Sequence, residues 1–428
     1  MNRQLLGGLG ILLLSATSWG ADASRLRVGA ARIDITPPLD WGLTNAWGTK
    51  LDSVHDPIFV RAIYMATGQD QAAIIALDAV GNDQSDEMLK RIEHEVQIPA
   101  QHVLIASSHD HNGPRIGTGR PGQAPPPGVS SWIQKVTDAV VASVKAAKEN
   151  AKPARMGIGT GYLDINVNRD FYTPEGTWKL GVNPSGPSDK TVWVIKFETE
   201  SGDPIALFTN YAVHAVVMGP ENTKLTGDLS GAAMRFVEQQ NGDKLVALWT
   251  SGAAGDQNPR YMTWDTTYTG KTNEAGFGLD DALGQMLGEE VLRTASLIKA
   301  DTEEVRISAT EKVITCPGKN PSRGPSNSAA PPGVAAPPDV KLHLSMLMLN
   351  DIAIGGVQSE IVDAIYQHLR RASPYRNTIM VTHDHGSMGY IPEDAAFDRP
   401  TFEVTGSRFQ RGCAENSIVN GLVGLMRK

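Results

Sequence analysis

The chain has 428 residues, 41% of them hydrophobic and 20% charged, with a formal net charge of −8 and both signs interspersed along its length. That is enough apolar residue for a proper core in one large domain or two medium ones. No basic block occurs, which argues against a nucleic-acid partner and gives no reason to expect binding to an anionic membrane surface.

Residues 1–23 read as a secretory signal peptide, with Arg3 as a short basic start, an apolar run from Leu5 to Leu14, and Ala21-Asp22-Ala23 as a small-x-small cleavage site. The run is too short to cross a bilayer, and no later stretch approaches the roughly eighteen apolar residues of a transmembrane helix. A secreted or periplasmic mature chain, residues 24–428 forming a single catalytic domain, is the expectation. The only two cysteines, Cys316 and Cys413, then meet an oxidising compartment, where they form either a structural disulfide or two separate thiols.

After the leader, "LRVGAARIDITPP" predicts a strand stopped by Pro37-Pro38, and "DPIFVRAIYMATG" and "QAAIIALDAVG" predict a hairpin turning at Gly68–Gln71. Helical spacing over Ser85–Gln97, with Ser85 as N-cap, leads to the apolar run "HVLIA", a buried strand. A Pro/Gly loop and an amphipathic helix over Ser130–Asn150 follow, then a strand ending in "NVNRD". "KTVWVIKFET" and "PIALFTNYAVHAVV" form a second hairpin, a helix is capped near Asp228, and "KLVALWTSGAAGDQNPR" is a strand emptying into a glycine-rich loop. A long helix over Asp280–Lys299 precedes another strand and a Pro-rich, flexible loop at 317–338, too poor in apolar residues to pack. The hairpin around Asn350-Asp351, a helix from about Ser359, the strand "NTIMVT" and a helix from about Glu415 close the chain.

This order predicts an α/β fold of mixed β-sheets with flanking helices. Its polar clusters gather at five strand exits, residues 107–114, 209–218, 250–260, 356–360 and 382–390. On one sheet edge these would make a site, as strand C-terminal ends do in α/β folds. The most informative exit is "SSHDHNGP", residues 107–114, where His109 and His111 stand two apart at the end of a strand. Such residues point to one face of an extended chain. A single bend can therefore bring both imidazoles into one small volume. No compact zinc signature is present, so a metal site has to be assembled from distant segments.

The series "SSHDHNGP", "NVNRD", "NYAVH", "SGAAGDQNP", "SE" before a helix and "GYIPEDAAFDRPTFE" resembles, in the same order, the landmarks of the neutral ceramidase family, secreted zinc amidases that cleave the N-acyl bond of ceramide. The resemblance runs over nearly the whole mature chain. It implies that His109, His214, Glu360 and Tyr390 hold Zn²⁺, that His111 helps to bind the substrate oxygen, and that Arg169 is the active-site arginine. The chain departs from the family at two positions. Asn258 stands in "GDQNPR" where the family has an essential serine, and Phe402 stands where it has a tyrosine. An amide can donate a hydrogen bond to an oxyanion but cannot act as a nucleophile. The chain also ends where the family's immunoglobulin-like domain would begin.

The resulting expectation is a zinc-dependent hydrolase acting on a small-molecule or lipid-like amide or ester, with His111, Arg169 and Asn258 supporting the oxyanion. Two alternatives stay open. One is a phosphoesterase or amidohydrolase type using both His-x-His pairs with Asp110, Asp228, Asp256 or Asp384. The other is a secreted binding protein that keeps the fold without catalysis. His383 and His385 are read either as solvated or supporting histidines or as part of a second metal site. His55, His94, His102, His343 and His368 are assigned no role.

Overall fold

The computed structural model describes residues 25–117, 127–264, 274–319 and 337–427. The leader at 1–23 and most of the Pro-rich loop lie outside these residues. Alternation along the strands sets the architecture. In Phe59–Thr67, Val60, Ala62 and Tyr64 face one layer while Ile63 and Met65 face the other, as a pleated strand buried on both faces requires.

The larger sheet has eight strands in the spatial order Val246–Ser251, Pro204–Tyr211, Thr191–Thr199, Lys152–Tyr162, Arg27–Asp34, Phe59–Thr67, Asp70–Leu77 and Val103–Ser107. On its outer face lie the helices Ser85–Val96, Pro127–Glu149, Asp228–Gln240 and Glu274–Leu297. Its inner face packs Val28, Met65, Ile195 and Phe208 against Leu347, Ile354, Ile379 and Val381 of a four-stranded sheet. That second sheet runs Ile307–Cys316, Val340–Leu349, Ile352–Val357, Asn377–Thr382, and the helices Asp363–Ala372 and Ala414–Leu425 cover its far side. The result is four layers, helix, sheet, sheet, helix, with mixed parallel and antiparallel pairing. Among the described residues no helix is long and apolar enough to cross a membrane.

Three expectations change. Ser85 is the first helical residue and Gln84 the N-cap, because Asn82 Oδ1 takes the Gln84 N–H at 2.9 Å and closes the turn one residue earlier. The helix expected from Ser359 starts at Asp363, because Glu360 N–H donates to Gly389 O and Glu360–Ile361 pairs with Tyr390–Ile391 as a short parallel ladder. The long helix begins at Glu274, six residues ahead of the expected Asp280.

Cys316 and Cys413 are joined in a disulfide across 97 residues of sequence, tying a strand of the smaller sheet to the start of the last helix. Closing a loop of that length removes much entropy from the unfolded chain. Replacing both cysteines with alanine should lower stability by about 2–5 kcal/mol, read as a lower urea midpoint under non-reducing conditions. An unmoved midpoint would show that the bridge contributes nothing.

Candidate metal centre and active site

All five strand exits meet, but they belong to two sheets. Val103–Ser107, Pro204–Tyr211 and Val246–Ser251 come from the larger sheet, and Ile352–Val357 and Asn377–Thr382 from the smaller. Their C-terminal ends are held together by buried polar contacts. Asn210 Nδ2 donates to Met380 O at 3.0 Å, Thr382 Oγ1 to Gly252 O at 2.9 Å, and Ile105 N–H to Asp384 Oδ1 at 3.0 Å.

At this junction His109 Nε2 and His214 Nε2 lie 3.2 and 3.3 Å from Glu360 Oε2. The opposite ring nitrogens are already engaged, His109 Nδ1 with Val80 O at 2.8 Å and His214 Nδ1 with Gln257 O at 3.1 Å. A ring that donates through Nδ1 keeps a lone pair on Nε2, which is how ligating histidines are oriented. Glu360 Oε2 is buried without a hydrogen-bond donor. Three lone-pair-bearing atoms therefore face one another, a donor set of two imidazoles and a carboxylate that suits a divalent transition metal. Burial, together with the neighbouring His109 and His214, keeps the His111 imidazole neutral, well below its usual pKa. Burial also lowers the His214 pKa to about 4, with Arg169 adding to the effect. Burial opposes ionisation of Glu360, but His109 and His214 outweigh it and hold the carboxyl well below the usual range.

The remaining expected residues surround this centre. His111 Nε2 is 3.0 Å from His109 Nε2, and the potential ligand atoms of His109, His111 and His214 lie within 4.8 Å of one another, so His111 is also within ligating reach. Tyr390 is the register partner of Glu360. Arg169 is only 4% exposed. Its Nε donates to Glu403 Oε1 at 2.7 Å and its Nη1 to Asn258 Oδ1 at 3.2 Å, while Nη2 is buried without a partner. Burial works against its charge, and Tyr390 and Glu403 outweigh that effect, so the guanidinium stays protonated. Trp47 packs on His111 at 4.9 Å and Phe402 on Tyr390 at 5.4 Å, both rings partly open to solvent. They give the centre an aromatic border.

His383 corrects the solvated reading. It is 2% exposed and stacked on His109 at 4.0 Å between ring centroids, and it lies within ligating reach of His109 and Glu360. His385, 8% exposed, turns away toward His343. His109, His383 and His385 all have left-handed backbone, with φ of 60°, 57° and 60°. Such a conformation costs an ordinary residue about 1–3 kcal/mol and is concentrated at functional sites. Glu403, the carboxylate that orients Arg169, was not singled out for that role from sequence, and its position beside Phe402 in "TFE" was the only signal. Each carboxylate of the phosphoesterase alternative accepts at least one backbone N–H, Asp384 that of Ile105, while Asp110 Oδ2 stays without a partner. Asp228 accepts the N–H groups of Val217, Met218 and Leu229, Asp256 that of Asp363, and Asp110 that of Asn112.

The sequence model of the neutral/alkaline non-lysosomal ceramidases, N-terminal part, matches residues 26–275, more than half of the chain. The chain belongs to this family. Neutral ceramidase of Drosophila melanogaster is 22% identical over 319 residues, covering 65% of this chain and 43% of that protein. The Drosophila pseudoobscura enzyme is 23% identical over 275 residues, 57% of this chain and 37% of that one. The chain thus spans less than half the length of these two relatives. Among solved structures, neutral ceramidase from Pseudomonas aeruginosa superposes with a TM-score of 0.77 at 15% identity, over 95% of this chain and 75% of that one. At that identity the likeness establishes the shared fold.

Proposed function

We propose that this family member is an exported, zinc-dependent hydrolase that cleaves an N-acyl amide, or an ester, of a lipid-like substrate. The observation that carries the reading is the convergence of His109 Nε2, His214 Nε2 and Glu360 Oε2, with a buried carboxylate oxygen that no protein donor satisfies. These three side chains, with Tyr390 beside Glu360, would hold the ion. Zinc, when bound, supplies Lewis acidity and makes a nucleophile of water at neutral pH. His111, kept neutral by burial, can donate to the substrate oxygen. Arg169, held by Glu403, and Asn258, whose Oδ1 accepts from Arg169, would bring donors to a developing oxyanion with little reorganisation. The aromatic border of Trp47 and Phe402 suits an acyl chain or another apolar group. Residues 1–23 would direct export, with 24–428 as one catalytic domain.

The test is a panel of N-acyl amides, N-acylsphingosines among them, and carboxylic esters offered to the mature protein with and without a chelator. Hydrolysis that the chelator abolishes and added zinc restores is the expected result. Tight zinc binding with no turnover across the panel would instead identify a binding protein on this fold, and turnover indifferent to chelator would remove the metal from the mechanism.

A further inference from the structure

The loop that carries His383 to the centre carries His385 to a different cluster. Glu311 on Ile307–Cys316, His343 on Val340–Leu349 and His385 each offer a ligand atom, all within 4.8 Å of one another. Val313 and His343 are opposite one another in the antiparallel ladder, and Glu311, two residues along, shares their face. His343 Nε2 lies 3.1 Å from Glu311 Oε2, and the His343 and His385 rings are 4.0 Å apart. His343 Nδ1 is buried without a hydrogen-bond partner.

The support around these residues is that of a built site. Asp384 Oδ2 lies 2.9 Å from His385 Nδ1, an electrostatic contact without hydrogen-bond geometry. Gln358 holds both histidine backbones, accepting the His343 N–H through Oε1 at 3.3 Å and donating through Nε2 to His385 O at 2.9 Å. A buried His385 and a half-buried His343 face an accessible carboxylate, since the Glu311 side chain is 46% exposed. An ion could enter from that side and keep water on its open position.

We propose that Glu311, His343 and His385 form a second binding site for a divalent cation of the zinc class, separate from the His109–His214–Glu360 centre. Two imidazoles and a carboxylate are donors suited to such an ion. It would pin the loop whose other histidine stacks on His109, giving the site a structural link to the catalytic centre without a part in the chemistry.

The test titrates chelator-stripped mature protein with ZnCl₂ by calorimetry, with metal content read by elemental analysis after desalting. The wild type should bind one equivalent more than His343→Gln, with Kd below about 1 μM. Glu311→Gln, a surface change that leaves folding intact, should weaken the same equivalent by about 10-fold or more. Equal zinc binding by wild type and His343→Gln at all concentrations up to about 100 μM would overturn the proposal and leave Glu311–His343 and Asp384–His385 as two ordinary ion pairs. The readout is a difference between proteins, so it stands whether or not the first centre holds zinc.

Discussion

Glu360→Gln should release the ion from the His109–His214 centre and lower kcat/KM by about 10³-fold or more, the several kcal/mol that a metal contributes to charge stabilisation. The reason is electrostatic. Among the described residues Glu360 is the one carboxylate within 3.3 Å of both Nε2 atoms. An amide keeps the shape but has no charge to offer, and its NH₂ can donate to one of the two Nε2 lone pairs, occupying a nitrogen that the ion needs. The same donation satisfies a buried group, so the variant should fold and show an unfolding transition close to that of chelator-treated wild type. Elemental analysis and steady-state kinetics on one preparation provide the check. A Glu360→Gln protein with full zinc and unchanged rate would end the assignment of this carboxylate.

The parts of this site that were legible in the sequence are those fixed by local pattern. Apolar runs ending in Gly, Pro, Asn and His marked the strand exits, and the order of six short landmarks carried the family. The parts that were not legible depend on pairing between distant segments. "VQSE" before a helical pattern looks like a helix start, and only the ladder with Tyr390–Ile391 makes Glu360 a strand residue facing two histidines. The two His-x-His pairs are identical in spacing yet behave differently. His109 and His111 converge, with ring centroids 4.5 Å apart, whereas His383 and His385 diverge, one to His109 and the other to His343. Left-handed backbone at His109, His383 and His385 takes both pairs out of the extended geometry on which the two-residue rule rests, so tertiary contacts decide which pair converges. That the exits come from two sheets was hidden for the same reason, since the interdigitation of Ile354 and Val381 with Phe208 and Ile195 is a property of tertiary packing.

Asn258→Ala should lower kcat by about 10²- to 10³-fold, the loss that follows removal of one oxyanion donor, while KM and zinc content change little. Asn258 is 3% exposed and sits in the short strand Gln257–Pro259, opposite Val167 and next to the Arg169 segment. Arg169 Nη1 donates to its Oδ1, which settles the orientation of the amide and turns its Nδ2 donor away from the guanidinium. A donor whose orientation is fixed by the neighbouring guanidinium is preorganised for charge that appears only during reaction. The metal-facing histidines should be untouched, because His214 is oriented by the Gln257 carbonyl and His109 by that of Val80, both main-chain groups that survive the substitution. Asn258→Ser restores the family's hydroxyl but not its tyrosine, since Phe402 can pack on Tyr390 yet offers no polar atom. Hydrolysis of N-acylsphingosine should therefore rise in the Asn258→Ser, Phe402→Tyr double variant and in neither single one. If Asn258→Ala turns over the substrate at the wild-type rate, the oxyanion role is wrong, and Asn258 serves only to fasten Arg169 beside the centre.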